Sequence, residues 1–264
     1  MNNRTPPSAA LKESYMGWYG ERIFSVLREW MPAGKALRFF IDCEHYGRYG
    51  LGLAAERPDC LVVIAQILPG TGPEICRTAA QIASMRGLVN VQFLVASARR
   101  LPFRNGSFDA VAAFQAEELE EPESFFNEMA RVVMPGGTVV AAMPNRRCTP
   151  HRFARWLGGS NRDKPSRLWT AEEIKEQFAR CGLGNIRVAG RCFMQSLMRL
   201  GSTGPLPWLF RALHIWTLGR WIETHLVSRL DRWTGNRFSN RYGFEIIAAG
   251  DRPHKIPITS PKID

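Results

Sequence analysis

The chain lacks several patterns that would place it in a well-defined class. Its six cysteines are scattered over positions 43, 60, 76, 148, 181 and 192, and no two have the CxxC spacing of a zinc site or a redox pair. The first residues, MNNRTPPSAALKESY, contain no apolar core of the kind found in signal peptides. No apolar run reaches the roughly 18 residues that a membrane-spanning helix requires. These absences predict a cytoplasmic protein with free thiols and no metal site.

Acidic residues are scarce in only one part of the chain. Residues 1–145 carry 14 Lys and Arg against 15 Asp and Glu, whereas residues 146–241 carry 18 against 6. The formal net charge of +11 therefore resides in the second stretch, which a partner attracted by charge would meet first. Hydrophobic residues make up 45% of the chain, which is enough for the buried core of a folded protein.

Short apolar runs alternate with helical patterns along most of the chain. The runs predict strands at 36–41, 60–65, 91–96, 108–114, 138–144, the IRVAG segment and 242–250. Between two of them, Thr170 and Glu173 have the capping-box pattern that begins a helix. Such alternation indicates a parallel sheet with right-handed crossovers. The predicted organisation is an N-terminal helical segment over 1–34, an α/β core over 35–198, a basic aromatic helical insertion over 199–241, and the last strand with a tail over 242–264.

The segments VQFLVASARRLPFRNGSFDAVAAF, EMARVVMPGG and LWTAEEIKEQFARCGLGNIRV resemble class I S-adenosylmethionine-dependent methyltransferases. They are similar in particular to the type 11 group, which includes the ubiquinone and menaquinone methyltransferases. The resemblance extends over residues 35–190 and resumes at 242–250. It implies a doubly wound, Rossmann-like class I methyltransferase sheet with a helical insertion before the last strand. It also implies methyl transfer from S-adenosylmethionine to a hydrophobic or lipid-like small molecule.

The loop that the resemblance assigns to the cofactor differs from the family pattern. In the family, the first strand ends in an acidic residue, and a D-x-G-x-G-x-G loop follows. A gapless alignment puts Ile41 at the acidic position and Cys43 and His45 at the first two glycines, so that Gly47 remains. A one-residue deletion instead puts Asp42 at the acidic position, again with no glycine before Gly47.

Two further cofactor positions lack the expected carboxylate. Gln66 takes the place of the ribose-binding acid at the end of the second strand, and Ser97 takes the place of the acid near the adenine. The resemblance places Ala98 and Gln115 beside the same ligand. Each missing carboxylate hydrogen bond is worth about 1.5–3 kcal/mol. Two functions therefore stay open: an active methyltransferase, and a catalytically inactive pseudo-methyltransferase that acts as a binding or scaffold subunit, with or without an active partner.

Two residues are weak candidates for acid–base chemistry. His45, with Glu44 and Tyr46, stands after the first strand, where α/β proteins place their sites, or belongs to a rigid loop that fills a disused pocket. Glu118 stands where the family often has a histidine, so it is either a general base or part of the solvent-exposed N-terminus of a helix.

Basic residues predict two further contacts. Arg146, Arg147, Arg152 and Arg155 form either an anion site or a solvated basic face. Residues 205–238 interleave tryptophan and arginine, which is typical of a helix on an anionic membrane surface or of a lid that covers the domain. The first option predicts peripheral attachment to the inner face of the membrane. Nucleic acid is a weaker partner because no recognition motif is present.

Overall fold

The structure is a computed structural model that describes residues 23–34, 37–67, 73–114, 116, 119–148, 167–191 and 245–254. Within these residues, seven strands form a single sheet in the order β3-β2-β1-β4-β5-β7-β6. The first five strands are parallel, and β7 is antiparallel to both β5 and β6. The strand order confirms the doubly wound sheet that the sequence predicts, whereas the antiparallel β7 differs from the parallel sheet that the alternation of strands and helices indicates.

The strands alternate with helices in chain order. The strands are β1 Arg38–Asp42, β2 Leu61–Gln66, β3 Val91–Val95, β4 Phe108–Ala113, β5 Val133–Pro144, β6 Gly184–Arg191 and β7 Glu245–Asp251. The helices are α1, of which residues 23–30 are described, α2 Arg48–Glu56, α3 Glu74–Met85, α4 Pro122–Val132 and α5 Ala171–Arg180. A 3₁₀ turn, Glu44–Gly47, joins β1 to α2.

Two hydrophobic cores cover the two faces of the sheet. On one face, α1, α2 and α3 pack on side chains such as Ile41 and Ile64, and on the other face, α4 and α5 pack on side chains such as Phe40 and Val111. Alternate residues of each strand enter opposite cores because side chains alternate across a strand. This arrangement explains why the strands read as continuous apolar runs rather than as an alternating pattern.

Several local predictions can be compared with the structure. Thr170 and Glu173 form both hydrogen bonds of the capping box at the start of α5, as predicted. β5 begins at Val133, before the predicted start at residue 138, and its ladder with β4 shifts register between the two, where Gly136 has a positive φ of 84°. Asp109 braces the start of β1, because its Oδ2 accepts a hydrogen bond from the backbone N–H of Arg38 at 2.8 Å. The predicted insertion over 199–241 lies outside the described residues.

Candidate functional site

The carboxyl ends of β1 and β4 mark the point at which the strand order reverses. From β1 the chain builds outward through β2 and β3, and it then returns to place β4 on the other side of β1. In open α/β sheets, ligands bind outside the carboxyl ends of the strands at such a switch point. The site predicted from the sequence therefore lies at this edge, where Asp42, Gln66 and Ala113 end their strands.

A tight turn stands where the family has its glycine-rich loop. Tyr46 has φ of 60° and Gly47 has φ of 72°, so both residues adopt the left-handed conformation. For Tyr46 this conformation costs on the order of 1 kcal/mol, since its Cβ crowds the backbone. A Cβ added to Gly47 would lie 3.2 Å from Cγ2 of Ile64, so the retained glycine serves close packing of the turn on β2. The backbone of His45 belongs to this turn, and its side chain lies outside the described part of the structure.

Asp42 is the acidic residue at the end of β1. Its side chain is buried, with 1% exposure, and its Oδ2 accepts a hydrogen bond from the backbone N–H of Phe114 at 2.6 Å. Ile41 instead packs in the core beneath α2 and α3. The structure therefore favours the alignment with a one-residue deletion, in which the loop is shorter than the family pattern. The ring of Phe114 also packs on Tyr49 of α2, with centroids 4.3 Å apart.

Cys43 and Cys76 meet on the face of the sheet that α3 covers. Cys43 directly follows β1, Cys76 lies in the first turn of α3, and both belong to the same buried cluster. The interaction between the two thiols lowers the pKa of Cys76 to about 7 and raises the pKa of Cys43. Cys76 Sγ also lies 3.2 Å from the carbonyl oxygen of Leu94, to which the neutral thiol donates.

The two other cofactor positions offer neutral groups. Gln66 has 1% exposure at the end of β2, so its amide is enclosed by the protein. Ser97 is exposed after β3, and its hydroxyl oxygen accepts a hydrogen bond from the backbone N–H of Arg99 at 3.3 Å. Ala98 beside it is buried. Gln115 and Glu118 lie outside the described residues, so their predicted roles remain predictions.

The arginines at 146 and 147 contact acidic residues of α5. Arg146 forms an ion pair with Glu173 at 2.6 Å and donates to the carbonyl oxygen of Leu168, and Arg147 forms an ion pair with Glu172 at 3.2 Å. These contacts favour a structural role for both residues over an anion site. Arg152 and Arg155 lie outside the described residues, as does the basic segment 205–238.

The described residues contain neither a metal-binding cluster nor a membrane-spanning helix. Nowhere in this part of the chain do three or more His, Cys, Asp or Glu side chains stand together as a metal site would require. None of its helices combines the length and apolar character needed to cross a membrane. A cleft of about 610 Å³ beside Arg131, Arg252 and His254 lies at the opposite edge of the sheet, where β7 ends, and is therefore separate from the switch point.

Comparison with known proteins agrees with this fold. Residues 63–141 match the family model described as a methyltransferase domain. Demethylmenaquinone methyltransferase from Thermus thermophilus is 36% identical over 98 residues, which cover 34% of this chain and 44% of the relative. Norajmaline N-methyltransferase from Rauvolfia serpentina is 39% identical over 70 residues, which cover 26% of this chain and 24% of the relative. The chain thus matches less than half of the length of either relative.

Solved structures extend the similarity to most of the chain. The [4+2]-cyclase SpnF superposes with a TM-score of 0.59 at 20% identity, covering 89% of this chain and 81% of that one. Phosphoethanolamine N-methyltransferase 2 of Haemonchus contortus, solved with S-adenosylmethionine, has a TM-score of 0.60 at 15% identity, covering 90% of this chain and 53% of that one. The chain has the fold of the class I S-adenosylmethionine-dependent methyltransferases. Its central segment carries the methyltransferase-domain pattern, as the sequence resemblance predicts.

The described donor set does not fit S-adenosylmethionine in the family's ordinary binding mode. Side chains replace the glycines before Gly47, and Cys43 is buried with 1% exposure. Gln66, at the predicted ribose position, is an enclosed amide, and Ser97, at the predicted adenine position, offers an exposed hydroxyl. Asp42 is the carboxylate at this edge, and one of its oxygens binds the backbone N–H of Phe114. The sequence analysis named five of these residues as candidates, but it did not name Cys76, whose place near Cys43 depends on how α3 packs.

Proposed function

We propose that this chain is a methyltransferase-fold protein that does not hold S-adenosylmethionine in the family's ordinary mode and that acts as a binding or scaffold subunit. The observation that supports this proposal most directly is the state of two cofactor positions. Cys43, the first loop residue after Asp42, has 1% exposure, and Gln66, at the predicted position of the ribose-binding acid, also has 1% exposure. Neither position presents a charged acceptor to a ligand.

The expected loss of affinity is large enough to matter. A hydrogen bond to a charged group is worth about 1.5–3 kcal/mol. Replacing two carboxylates and the first loop glycines would weaken binding by roughly 5 kcal/mol, which corresponds to three to four decades in the dissociation constant. A micromolar site would thereby become millimolar. The fold is compatible with a non-catalytic function, because proteins that share one fold can differ in function. The similarity to a protein named as a [4+2]-cyclase is consistent with that point.

An active methyltransferase is the second candidate, and the curated relatives favour it. The demethylmenaquinone methyltransferase of Thermus thermophilus is 36% identical over 98 residues. On this alternative, the acceptor is a hydrophobic or lipid-like small molecule, and cofactor binding relies on residues other than the family's usual set. The similarity covers 44% of that relative, so the identity of the acceptor is proposed separately.

Thermal denaturation of the full chain with and without millimolar S-adenosylmethionine separates the two candidates. A ligand present at 100 times its dissociation constant stabilises the native state by about 2.7 kcal/mol, so a micromolar site would raise the melting temperature by several degrees. We expect no measurable shift. A shift that saturates below millimolar concentration would reject the non-catalytic proposal and support the methyltransferase.

Placing glycines in the loop and an acid at the end of β2 provides the matched positive test. We expect the combined variant Cys43→Gly, His45→Gly and Gln66→Asp to gain a shift with S-adenosylmethionine. Gln81→Asp is the control, because it adds the same charge at an exposed position of α3. The variants are first checked for native circular dichroism. His45→Gly alone serves if the combined variant fails to fold.

The partners of the non-catalytic protein are proposed from charge and composition. A hydrophobic or anionic small molecule, an active partner subunit, or an anionic membrane surface contacted through residues 205–238 would each fit the excess of 12 positive charges over 146–241. Native mass spectrometry of the purified chain detects a retained small molecule or subunit. Co-sedimentation with phosphatidylserine vesicles at low salt tests the membrane surface, and absence of binding there would exclude it.

A further inference from the structure

The cleft at the edge of the sheet where β7 ends has a volume of about 610 Å³, which lies within the usual range of small-molecule sites. Its walls come from three parts of the chain. Asn127 belongs to α4, Cys181 and Gly182 directly follow α5, and Arg252 and His254 follow β7. The described residues that line the cleft include two arginines and no carboxylate, so its chemistry favours an anion.

One of the two arginines, Arg131, is fully engaged by the protein. Its Nε and one N–H of Nη2 each donate to the carboxylate of Glu128 at 2.6 Å. Its three other N–H groups donate to oxygens of Leu101, Phe103 and Asn105 at 2.8 to 3.1 Å. A guanidinium has five N–H groups, so Arg131 has none left for a ligand, and Glu128 compensates its charge.

The other arginine, Arg252, is held in place but keeps part of its guanidinium free. Its Nη1 donates to the backbone carbonyl oxygen of Arg131 at 2.8 Å and to that of Val133. Its backbone is fixed as well, because its N–H donates to Gly137 at 2.8 Å and its carbonyl oxygen accepts from Gly136 at 2.7 Å. In the part of the chain that the structure describes, Nε and Nη2 of Arg252 have no hydrogen-bond partner, and no carboxylate pairs with them.

The carboxylate next to Arg252 in the chain is engaged elsewhere. Asp251 Oδ1 accepts from Thr138 Oγ1 at 2.9 Å and from Arg187 Nη2 at 3.0 Å, and its Oδ2 accepts from Asn185 Nδ2 at 2.6 Å. Asp251 is therefore occupied by three donors other than Arg252. An anion that entered the cleft would meet the free Nε and Nη2 groups of Arg252 without competition from this neighbour.

We propose that this cleft is a binding site for a small molecule that carries a carboxylate or phosphate group, with Nε and Nη2 of Arg252 as the donors. The N–H groups of these two nitrogens point in parallel and match two oxygens of either anion in a bidentate contact. Because the backbone and Nη1 of Arg252 are already fixed, binding would order few further atoms of this side chain, which favours affinity.

The remaining wall of the cleft suits the uncharged part of such a molecule. Ala130 and Pro253 are apolar, and the ring of His254 packs over Gly136, where an added Cβ would lie 2.5 Å from ring atoms Cε1 and Nε2. The absence of a side chain at Gly136 therefore gives the ring its place in the wall. The site lies at the edge opposite the switch point, so the inference does not rest on the proposed function, and anion binding here and S-adenosylmethionine binding there are measured separately.

Cys181 reports on the cleft, because its half-buried thiol lies in the wall. The test compares its alkylation rate with iodoacetate, which carries a carboxylate, and with iodoacetamide, the neutral analogue, in the full chain. Both reagents react with the same thiolate, so the ratio of the two rates cancels the thiolate fraction. Mass spectrometry quantifies the tryptic peptide 181–187, which contains no other cysteine. We expect the ratio of the iodoacetate rate to the iodoacetamide rate to be at least about threefold higher at Cys181 than for glutathione.

Variants distinguish a local site from the general attraction of a chain with a net charge of +11. Asn127→Asp places a carboxylate at the exposed α4 position beside the cleft and should lower the ratio about threefold. Gln81→Asp adds the same charge at an exposed position of α3, on the other face of the sheet, and should leave the ratio nearly unchanged. Arg252→Gln should lower the ratio to the glutathione value; if this variant does not fold, Asn127→Asp still tests the site.

Competition by inorganic phosphate provides an independent measurement on the unaltered chain. Phosphate at about 20 mM should slow the iodoacetate reaction at Cys181 at least about twofold more than sodium chloride at the same ionic strength, as expected for a millimolar site. Equal effects of phosphate and chloride would overturn the proposal. So would a ratio at Cys181 no higher than that of glutathione, or equal ratios in Asn127→Asp and Gln81→Asp.

Discussion

The backbone N–H of Phe114 donates to Oδ2 of Asp42 across 2.6 Å, so the ends of β4 and β1 are joined by a buried hydrogen bond. The two residues are 72 positions apart in the sequence. Removing the acceptor in Asp42→Ala would leave the Phe114 N–H buried without this acceptor and should lower the free energy of unfolding by about 1–3 kcal/mol. Asp42→Asn keeps an oxygen acceptor and should lose less. Urea denaturation measures both variants, and equal losses would show that the hydrogen bond is not the cause.

Gly50 of α2 allows this helix to lie directly on Ile64 of β2. A Cβ on Gly50 would stand 2.7 Å from both Cγ1 and Cδ1 of Ile64, which is fully buried. Gly50→Ala should therefore destabilise the protein by about 1–2 kcal/mol, even though alanine favours the helix by about 1 kcal/mol. Ile64→Val removes Cδ1, so it should cost less in the Gly50→Ala background than alone. Additive costs in the urea-denaturation cycle would contradict the steric explanation.

Glu245 at the start of β7 makes stability depend on pH. Its carboxyl Oε2 is enclosed although the residue as a whole is half-buried, and burial raises its pKa from 4.5 to about 8. The folded state therefore keeps a proton that the unfolded state releases above pH 4.5, so stability should fall between pH 4.5 and 8 and then level off. Glu245→Gln should abolish this fall and gain on the order of 3 kcal/mol at pH 7.

The control for this pH dependence is Glu176→Gln. Glu176 is exposed and pairs with Arg180 one helical turn away, so its replacement should change stability by less than about 0.5 kcal/mol. Chemical denaturation at several pH values between 4 and 9 supplies the curves. A Glu245→Gln variant whose curve has the same slope as the unaltered chain would show that Glu245 is ionised in the folded state.

Thr170 closes the start of α5 with a capping box. Its Oγ1 accepts a hydrogen bond from the N–H of Glu173 at 3.2 Å, and Glu173 Oε2 accepts one from the N–H of Thr170 at 2.8 Å. Thr170→Ala should destabilise the protein by about 1 kcal/mol, because the N–H of Glu173 loses the Thr170 hydroxyl as its acceptor and the reciprocal pair of hydrogen bonds is broken. Thr78→Ala is the control, since the Thr78 hydroxyl lies within α3 and is exposed. A loss at Thr78 as large as at Thr170 would contradict the capping role.

The order of elements followed from the sequence because it depends on local patterns. Apolar runs marked the strands, and Thr170 with Glu173 marked a helix start, as the structure confirms. The start of β5 differs, because the strand begins at Val133 rather than at the predicted residue 138, and the residues between form an irregular stretch in which the ladder with β4 shifts register and Gly136 has a positive φ of 84°. Local patterns describe conformational preference, and pairing with a neighbouring strand can override it.

The sequence by itself determined the doubly wound sheet, the loss of loop glycines and the absence of carboxylates at Gln66 and Ser97, since each of these is a property of residue type and spacing along one segment. Only the tertiary structure decided that Asp42 rather than Ile41 faces Phe114, and that Cys43 meets Cys76. Both contacts join segments far apart in the chain. Crossover helices bring such segments together at the edge of the sheet, and no pattern within either segment specifies the partner.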